Sequence, residues 1–284
     1  MTGISIHIGV NRVSAQHYGS EQPLKGAVAD SDAMKAIAEA NGFATRQFVN
    51  EDATSLTVLD AIEQAAAQLD SGDILFISYA GHGSQMFDHL GDEPDSLDET
   101  WCLYDRMVLD DELYRAYGRF ARGTRVLIVS DSCHSGTVAR VAKFDPRSEY
   151  PDPNQAAELP YPVEDELTFR ALPEEAARAA FLRNQGQYGD VRGSLAQAPP
   201  RDLQCSLQLL AACQDHQLAA DGAANGYFTQ HLLHRWQEGR FSGSYTELFQ
   251  AIERAMPRRQ KPNRMLLGEA TAEFADDRPF SIAT

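Results

Sequence analysis

Cysteine is scarce in this chain, with four in 284 residues. Cys102, Cys133, Cys205 and Cys213 have neither the CxxC spacing of zinc sites nor the density of a disulfide-stapled secreted scaffold. Three of them read as buried packing residues. Basic charge is scarce too: 25 Lys and Arg against 41 Asp and Glu leave a net charge of −16. Nucleic-acid binding needs clustered cations on phosphates, so that partner class is excluded. No run approaches the roughly 18 apolar residues of a membrane span, which excludes a membrane partner of that kind. The N-terminus shows no charged-then-apolar leader, so a soluble, cytoplasmic protein is expected. There is no internal repeat. With 43% apolar residues, the chain is long enough to bury one substantial core, and a single domain over 1–284 is expected.

Short apolar runs alternate with helical patterns. Strands are expected at 3–9, 43–48, 72–79, 124–130 and 206–212, with another near 279–283. Helices are expected at 30–41, 54–69, 110–120, 227–238 and 244–255. Ile74-Leu75-Phe76-Ile77-Ser78-Tyr79 and Val126-Leu127-Ile128-Val129-Ser130 are continuous and apolar, the pattern of strands buried on both faces of a parallel sheet. The alternation implies an α/β fold with right-handed crossovers and helices on both faces.

Chemistry gathers behind two of these strands. Tyr79-Ala80-Gly81-His82-Gly83-Ser84 and Asp131-Ser132-Cys133-His134-Ser135-Gly136 place an imidazole and a thiol just past neighbouring carboxyl ends, where open α/β sheets carry their sites. A thiol with a pKa near ~8.5 needs a base to become a nucleophile at neutral pH. His82 and Cys133 therefore read as a catalytic dyad. His134 is adjacent to the thiol in sequence, and adjacent side chains diverge, so His82 is the better base. Gly81 and Gly83 permit a sharp turn and close approach of a substrate, and the amides of Gly83 and Cys133 are placed to hold an oxyanion.

The YAGHGS and DSCHSG motifs resemble the catalytic core of metacaspases and their bacterial caspase-like relatives. Further resemblance lies in Ile4–Asn11 as the first strand and Leu24–Met34 as the loop entering the first helix. Leu209–Asp215 and Asn225–Thr229 resemble the small-subunit strand and its following helix. The resemblance covers about 1–140 and 204–284, and implies a caspase-like three-layer sandwich with a mostly parallel central sheet. It also implies a monomeric cysteine endopeptidase acting on protein or peptide substrates, with no cofactor required for the chemistry. Asp131, two residues before Cys133, departs from animal caspases and points to metacaspases.

Between these parts, 141–203 holds eight of the thirteen prolines around one helix-like stretch near 163–184 and reads as a surface insert or linker. The corresponding region in the family separates the large and small subunits and is cut in self-processing. Here it and its approach carry Arg140, Lys143, Arg147, Arg170, Arg178, Arg183, Arg192 and Arg201.

The resemblance also assigns Asp30 and Asp131 to the specificity pocket, where two carboxylates in a partly dehydrated slot would select Arg or Lys before the scissile bond. Taken alone, Asp30 reads equally as a helix cap. Where metacaspases commonly carry Cys in the first loop and Ser two residues before the histidine, this chain has Ala27 and Ala80, which leaves the choice between Arg and Lys open. Carboxylates also concentrate at 91–100 and 109–112. In calcium-activated metacaspases, residues matching Asp98, Asp110 and Asp111 bind Ca²⁺. A further acidic ligand of that set is Arg140 here, and Asp110 and Asp111 also suit a helix N-terminus. The expected function is a cysteine endopeptidase cutting after Arg or Lys through a thioester, with self-processing in 141–203 and calcium activation as further expectations. The alternative is a catalytically silent caspase-like binding or scaffold protein.

Overall fold

The computed structural model describes residues 1–87, 97–133, 159, 168–197, 202–214, 217–222 and 224–283. In chain order, the elements are β1 (Gly3–Gly9), α1 (Ala15–Tyr18), α2 (Ala27–Ala40), β2 (Ala44–Val49), α3 (Ser55–Ala66), β3 (Ile74–Ala80), β4 (Gly83–Phe87), β5 (Leu97–Cys102), β6 (Met107–Leu109), α4 (Asp110–Tyr117) and β7 (Arg125–Asp131). They continue with β8 (Thr168–Phe169), α5 (Glu174–Arg183), α6 (Gln185–Gln197), β9 (Ser206–Ala211), β10 (Ala220–Asp221), α7 (Tyr227–Trp236), α8 (Tyr245–Ala255), β11 (Asn263–Gly268) and α9 (Thr271–Asp276).

The central sheet has the order β11-β9-β7-β3-β1-β2, parallel throughout except for the antiparallel edge strand β11. Both faces are covered at the centre of the sheet, where β3, β7 and β9 are buried at every position. On β3, Leu75, Ile77 and Tyr79 enter one core, while Ile74 and Phe76 enter the other. Val126 and Ile128 of β7 follow the first set, and Leu127 and Val129 the second. Period-two alternation with both faces covered produces this division. Residues of α3, α4, α5 and α6 cover one face, and residues of α2, α7 and α8 cover the other.

Local chemistry sets the helix starts. Thr54 accepts the Thr57 amide and Ser244 accepts the Glu247 amide, each closing a capping box at the head of α3 and α8. Phe76 is fully buried against His7, Phe43 and Phe280. Phe76→Ala is expected to cost about 3–5 kcal/mol, read as a lower urea midpoint at constant m-value.

Two expectations change. No strand forms at 279–283; the antiparallel edge strand is Asn263–Gly268 and a helix follows it. The single helix near 163–184 is instead a short strand at 168–169 followed by α5 and α6, because Pro173 stands as the N-cap of α5 and sets the start. No helix among the described residues is long and apolar enough to cross a membrane.

Candidate active site

Strands β3 and β7 pair in register, Ala80 opposite Asp131, so the segments that follow them leave the sheet side by side. From β3 the chain turns through Gly81 and His82 into the antiparallel sheet β4-β5-β6. The His82 carbonyl accepts the Tyr79 hydroxyl at 2.6 Å and the Cys102 amide at 2.9 Å, which fixes the histidine at the root of that sheet. Tyr79 is itself stacked on Trp101, 4.6 Å between centroids.

The His82 ring is buried, with Nε2 2.9 Å from the Gln22 carbonyl. A carbonyl only accepts, so Nε2 carries the proton and Nδ1 is left with its lone pair. Nδ1 is buried and has no hydrogen-bond partner among the described residues. Burial is the main influence on the imidazole and lowers its pKa below the usual value, with the Gln22 carbonyl pulling the other way. At neutral pH His82 is therefore a neutral base. Gln22, at a left-handed φ of 45°, is the orienting residue that sequence reading missed, since its backbone rather than its side chain does the work.

Cys133 is fully buried, and its Sγ accepts the Ala219 amide at 3.0 Å. Its own amide and that of Gly83 converge on one acceptor, the carbonyl oxygen of Arg170, at 3.2 and 2.9 Å. The two expected oxyanion donors are thus brought together on a peptide carbonyl. Gly83 has no alternative there, since a Cβ would fall 1.8 Å from the Cys133 carbonyl oxygen.

The Arg170 side chain is fully buried and runs into a pocket of three carboxylates. Its Nη2 lies 2.6 Å from Asp30 and 2.9 Å from Asp221, and its Nη1 lies 3.2 Å from Asp131 Oδ1 and donates to the Asp131 carbonyl at 2.8 Å. Each carboxylate is also held by the protein. Asp30 accepts from Asn225 and the Gly226 amide, Asp131 from the amide and hydroxyl of Thr229, and Asp221 from the amides of Lys25 and Gly26. Asp30 sits in the first turn of α2 but gives its oxygens to this network, so the helix-cap reading does not hold. Ala27 and Ala80 pack with Leu24 in a small apolar cluster.

Burial works against the guanidinium's charge, but Asp131, Asp30 and Asp221 outweigh it and raise its pKa. Burial pushes the Asp30 carboxyl up to about 7 despite Arg170, with Asp131 adding to the rise. The sequence reading named two acids of the pocket and missed Asp221, which follows the short apolar stretch Leu218-Ala219-Ala220. Arg170 was expected on a surface linker. It is instead wholly enclosed, because three carboxylates compensate its burial.

This constellation accompanies a family match over nearly the whole chain. The caspase domain, Peptidase C14, is matched across residues 6–270. The chain belongs to the caspase-domain family. Metacaspase-1 of Schizosaccharomyces pombe is 26% identical over 281 residues, 88% of this chain and 63% of that protein. Metacaspase-4 of Arabidopsis thaliana is 30% identical over 154 residues, 50% of this chain and 36% of that protein. The chain thus spans only part of the length of these metacaspases. A crystal structure of a Geobacter sulfurreducens protein aligns over 100% of both chains with 38% identity and a TM-score of 0.84. Caspase-1 of Spodoptera frugiperda shares the fold, with a TM-score of 0.54 at 13% identity over 94% of this chain and 86% of its own.

The remaining expectations of the caspase-domain reading fall elsewhere. Asp110 and Asp111 are buried at the start of α4, where Asp110 accepts the Asp111 amide. The Asp98 side chain, the acidic residues at 91–96 and Arg140 lie outside the described residues. Among the described residues no group of three His, Cys, Asp or Glu is placed to hold a metal ion. His134, Lys143, Arg147 and Arg201 also lie outside the described residues. Cys102, Cys205 and Cys213 are buried.

Proposed function

We propose that the chain is a cysteine endopeptidase that cuts protein or peptide chains after Arg or Lys. One observation carries this reading: three buried carboxylates converge on a guanidinium whose own carbonyl is held by the Gly83 and Cys133 amides. A pocket for a basic side chain thus adjoins a donor pair for a peptide carbonyl. In the proposed reaction His82 Nδ1 takes the thiol proton, Cys133 Sγ attacks the carbonyl carbon, and the oxyanion forms against the two amides. His82 returns the proton to the leaving amine, and water hydrolyses the thioester. The same proposal has the chain act as a monomer and as a single unit over 1–284, with no cofactor in the chemistry. Localisation in the cytoplasm fits the same reading. Calcium is implied by the resemblance alone, so no step is drawn through it.

Fluorogenic peptides ending in Arg, Lys or Asp, assayed in calcium and in chelator, test the proposal. Turnover of Arg and Lys peptides but not Asp peptides is expected; cleavage of Asp peptides, or of none under either condition, overturns it. The pH profile adds a signature. Arg170 holds the Asp30 carboxyl down, so in an emptied pocket it titrates at or above about 7. It is protonated below that pH and gains charge above it, so KM for Arg peptides should fall as pH rises from 6 to 8, with a weaker trend for uncharged peptides. Folding stability moves the opposite way. A carboxyl whose folded pKa exceeds its ordinary 3.8 binds more protons folded than unfolded, so its stabilising contribution declines as pH climbs towards 7.

A further inference from the structure

The segment that fills the site is arranged as a substrate. Thr168 and Phe169 pair antiparallel with Asp221 and Ala220, and the Arg170 amide donates to the Ala219 carbonyl at 2.9 Å. Beyond the carbonyl held by Gly83 and Cys133, Ala171 bridges to Gly83, and the Leu172 amide donates to the Gly83 carbonyl at 2.9 Å. Backbone hydrogen bonds therefore grip the strand on both sides of the Arg170–Ala171 peptide. Ala219 touches both reacting partners, donating to Cys133 Sγ and accepting from Arg170. Phe169 and Ala171 pack against the core cluster that contains Cys133, Ala220 and Tyr227.

Resting on the peptidase reading above, we propose that Arg170–Ala171 is the bond this chain cuts in itself, and that the uncut segment excludes other substrates from the groove. Cys133 Sγ bonds to the Arg170 carbonyl carbon, the C–N bond to Ala171 breaks, and His82 delivers the thiol's proton to the Ala171 nitrogen. Water then adds to the thioester; the S–C bond breaks, the sulfur regains a proton through His82, and Arg170 is left as a carboxylate. The strand also defines a preference for substrates supplied in trans: an aromatic residue, then Arg, then a small residue. The two fragments stay together, because β9 and β11 from the second half extend the sheet from β7 of the first.

The test is to incubate the purified full chain and follow intact mass and N-terminal sequence. A new N-terminus reading Ala-Leu-Pro-Glu-Glu is expected, appearing at a rate independent of protein concentration, in fragments that co-elute until denatured. Arg170→Gln should remain whole at this bond and hydrolyse Arg peptides without a lag, ~10-fold or more faster than uncut protein, since a tethered competitor acts at effective concentrations in the millimolar range. Ala171→Pro keeps the guanidinium in its pocket and guards against misfolding of the Arg170 variant; it should stay whole and inactive on peptides. The inference is overturned if the parent, with residues 170 and 171 still joined, turns over Arg peptides as fast as Arg170→Gln, or if Ala171→Pro is as active as the parent. Failure of the parent and of Arg170→Gln alike to cut any basic peptide would overturn the peptidase reading itself, and this inference with it.

Discussion

Cys133→Ala is expected to lower kcat/KM for Arg peptides by ~10⁴-fold or more, the scale on which removal of a covalent nucleophile acts. The substitution is narrow. It leaves the Cys133 amide in place, so both donors to the Arg170 carbonyl remain, and the variant, unable to cut itself, keeps that strand in the groove. What goes is the sulfur, and with it the acceptor for the Ala219 amide at 3.0 Å. An unmade buried hydrogen bond costs roughly 1–3 kcal/mol, so the melting temperature should fall by a few degrees without loss of the fold. Cys133→Ser restores an acceptor for Ala219, yet a hydroxyl is far harder to ionise than a thiol, so it should recover stability but not turnover. Peptide kinetics beside a circular-dichroism melt separate the two effects. Turnover surviving in the Ala variant would place the chemistry elsewhere.

The parts of the fold legible in the sequence are those where one physical signal dominates. β3 and β7 hold nearly continuous apolar runs because both faces of the sheet are covered, and the positions of β1, β3, β7 and β9 match expectation within a residue or two at each end. β11 was hidden because an edge strand needs only partial burial; Asn263 to Leu267 are half-buried, and the apolar run is only Met265-Leu266-Leu267. α6 carries Gly186, Gly189 and Gly193, and a Cβ at any of them would meet nothing within 4 Å. Such a helix rests on its flanking contacts rather than on propensity, and its sequence reads as a linker.

Around the site the same division applies. The positions of His82, Gly83 and Cys133 follow from strand ends, a local signal. Arg170 and Asp221 lie 51 residues apart in the chain and acquire meaning only through each other. A lone Arg in a proline-rich stretch reads as exposed until its carboxylates are seen, so no local pattern could have marked it as buried. Gln22 contributes a carbonyl, which every residue has, and its position beside His82 depends on the tertiary path.

Asp131→Asn should separate recognition of charge from chemistry. Asp131 is 2% exposed at the end of β7; one oxygen serves the amide and hydroxyl of Thr229 at 2.9 and 2.7 Å, and the other faces the Arg170 guanidinium at 3.2 Å. An Asn side chain retains an oxygen for Thr229 and so keeps the head of α7 anchored, but turns an N–H donor towards the guanidinium and removes one negative charge. Breaking a buried, hydrogen-bonded ion pair costs about 3–5 kcal/mol, which corresponds to a loss of ~10²–10³-fold or more in kcat/KM for Arg peptides. Peptides carrying Gln at that position never used the charge and should change by only a few-fold. Asp30→Asn supplies the internal contrast, because burial keeps the Asp30 carboxyl protonated up to about 7. Its penalty on Arg peptides should be small at pH 6, where the native group is already uncharged, and grow by pH 8. The penalty of Asp131→Asn should persist at both values. Equal losses on Arg and Gln peptides would show that these carboxylates support the fold without selecting the substrate.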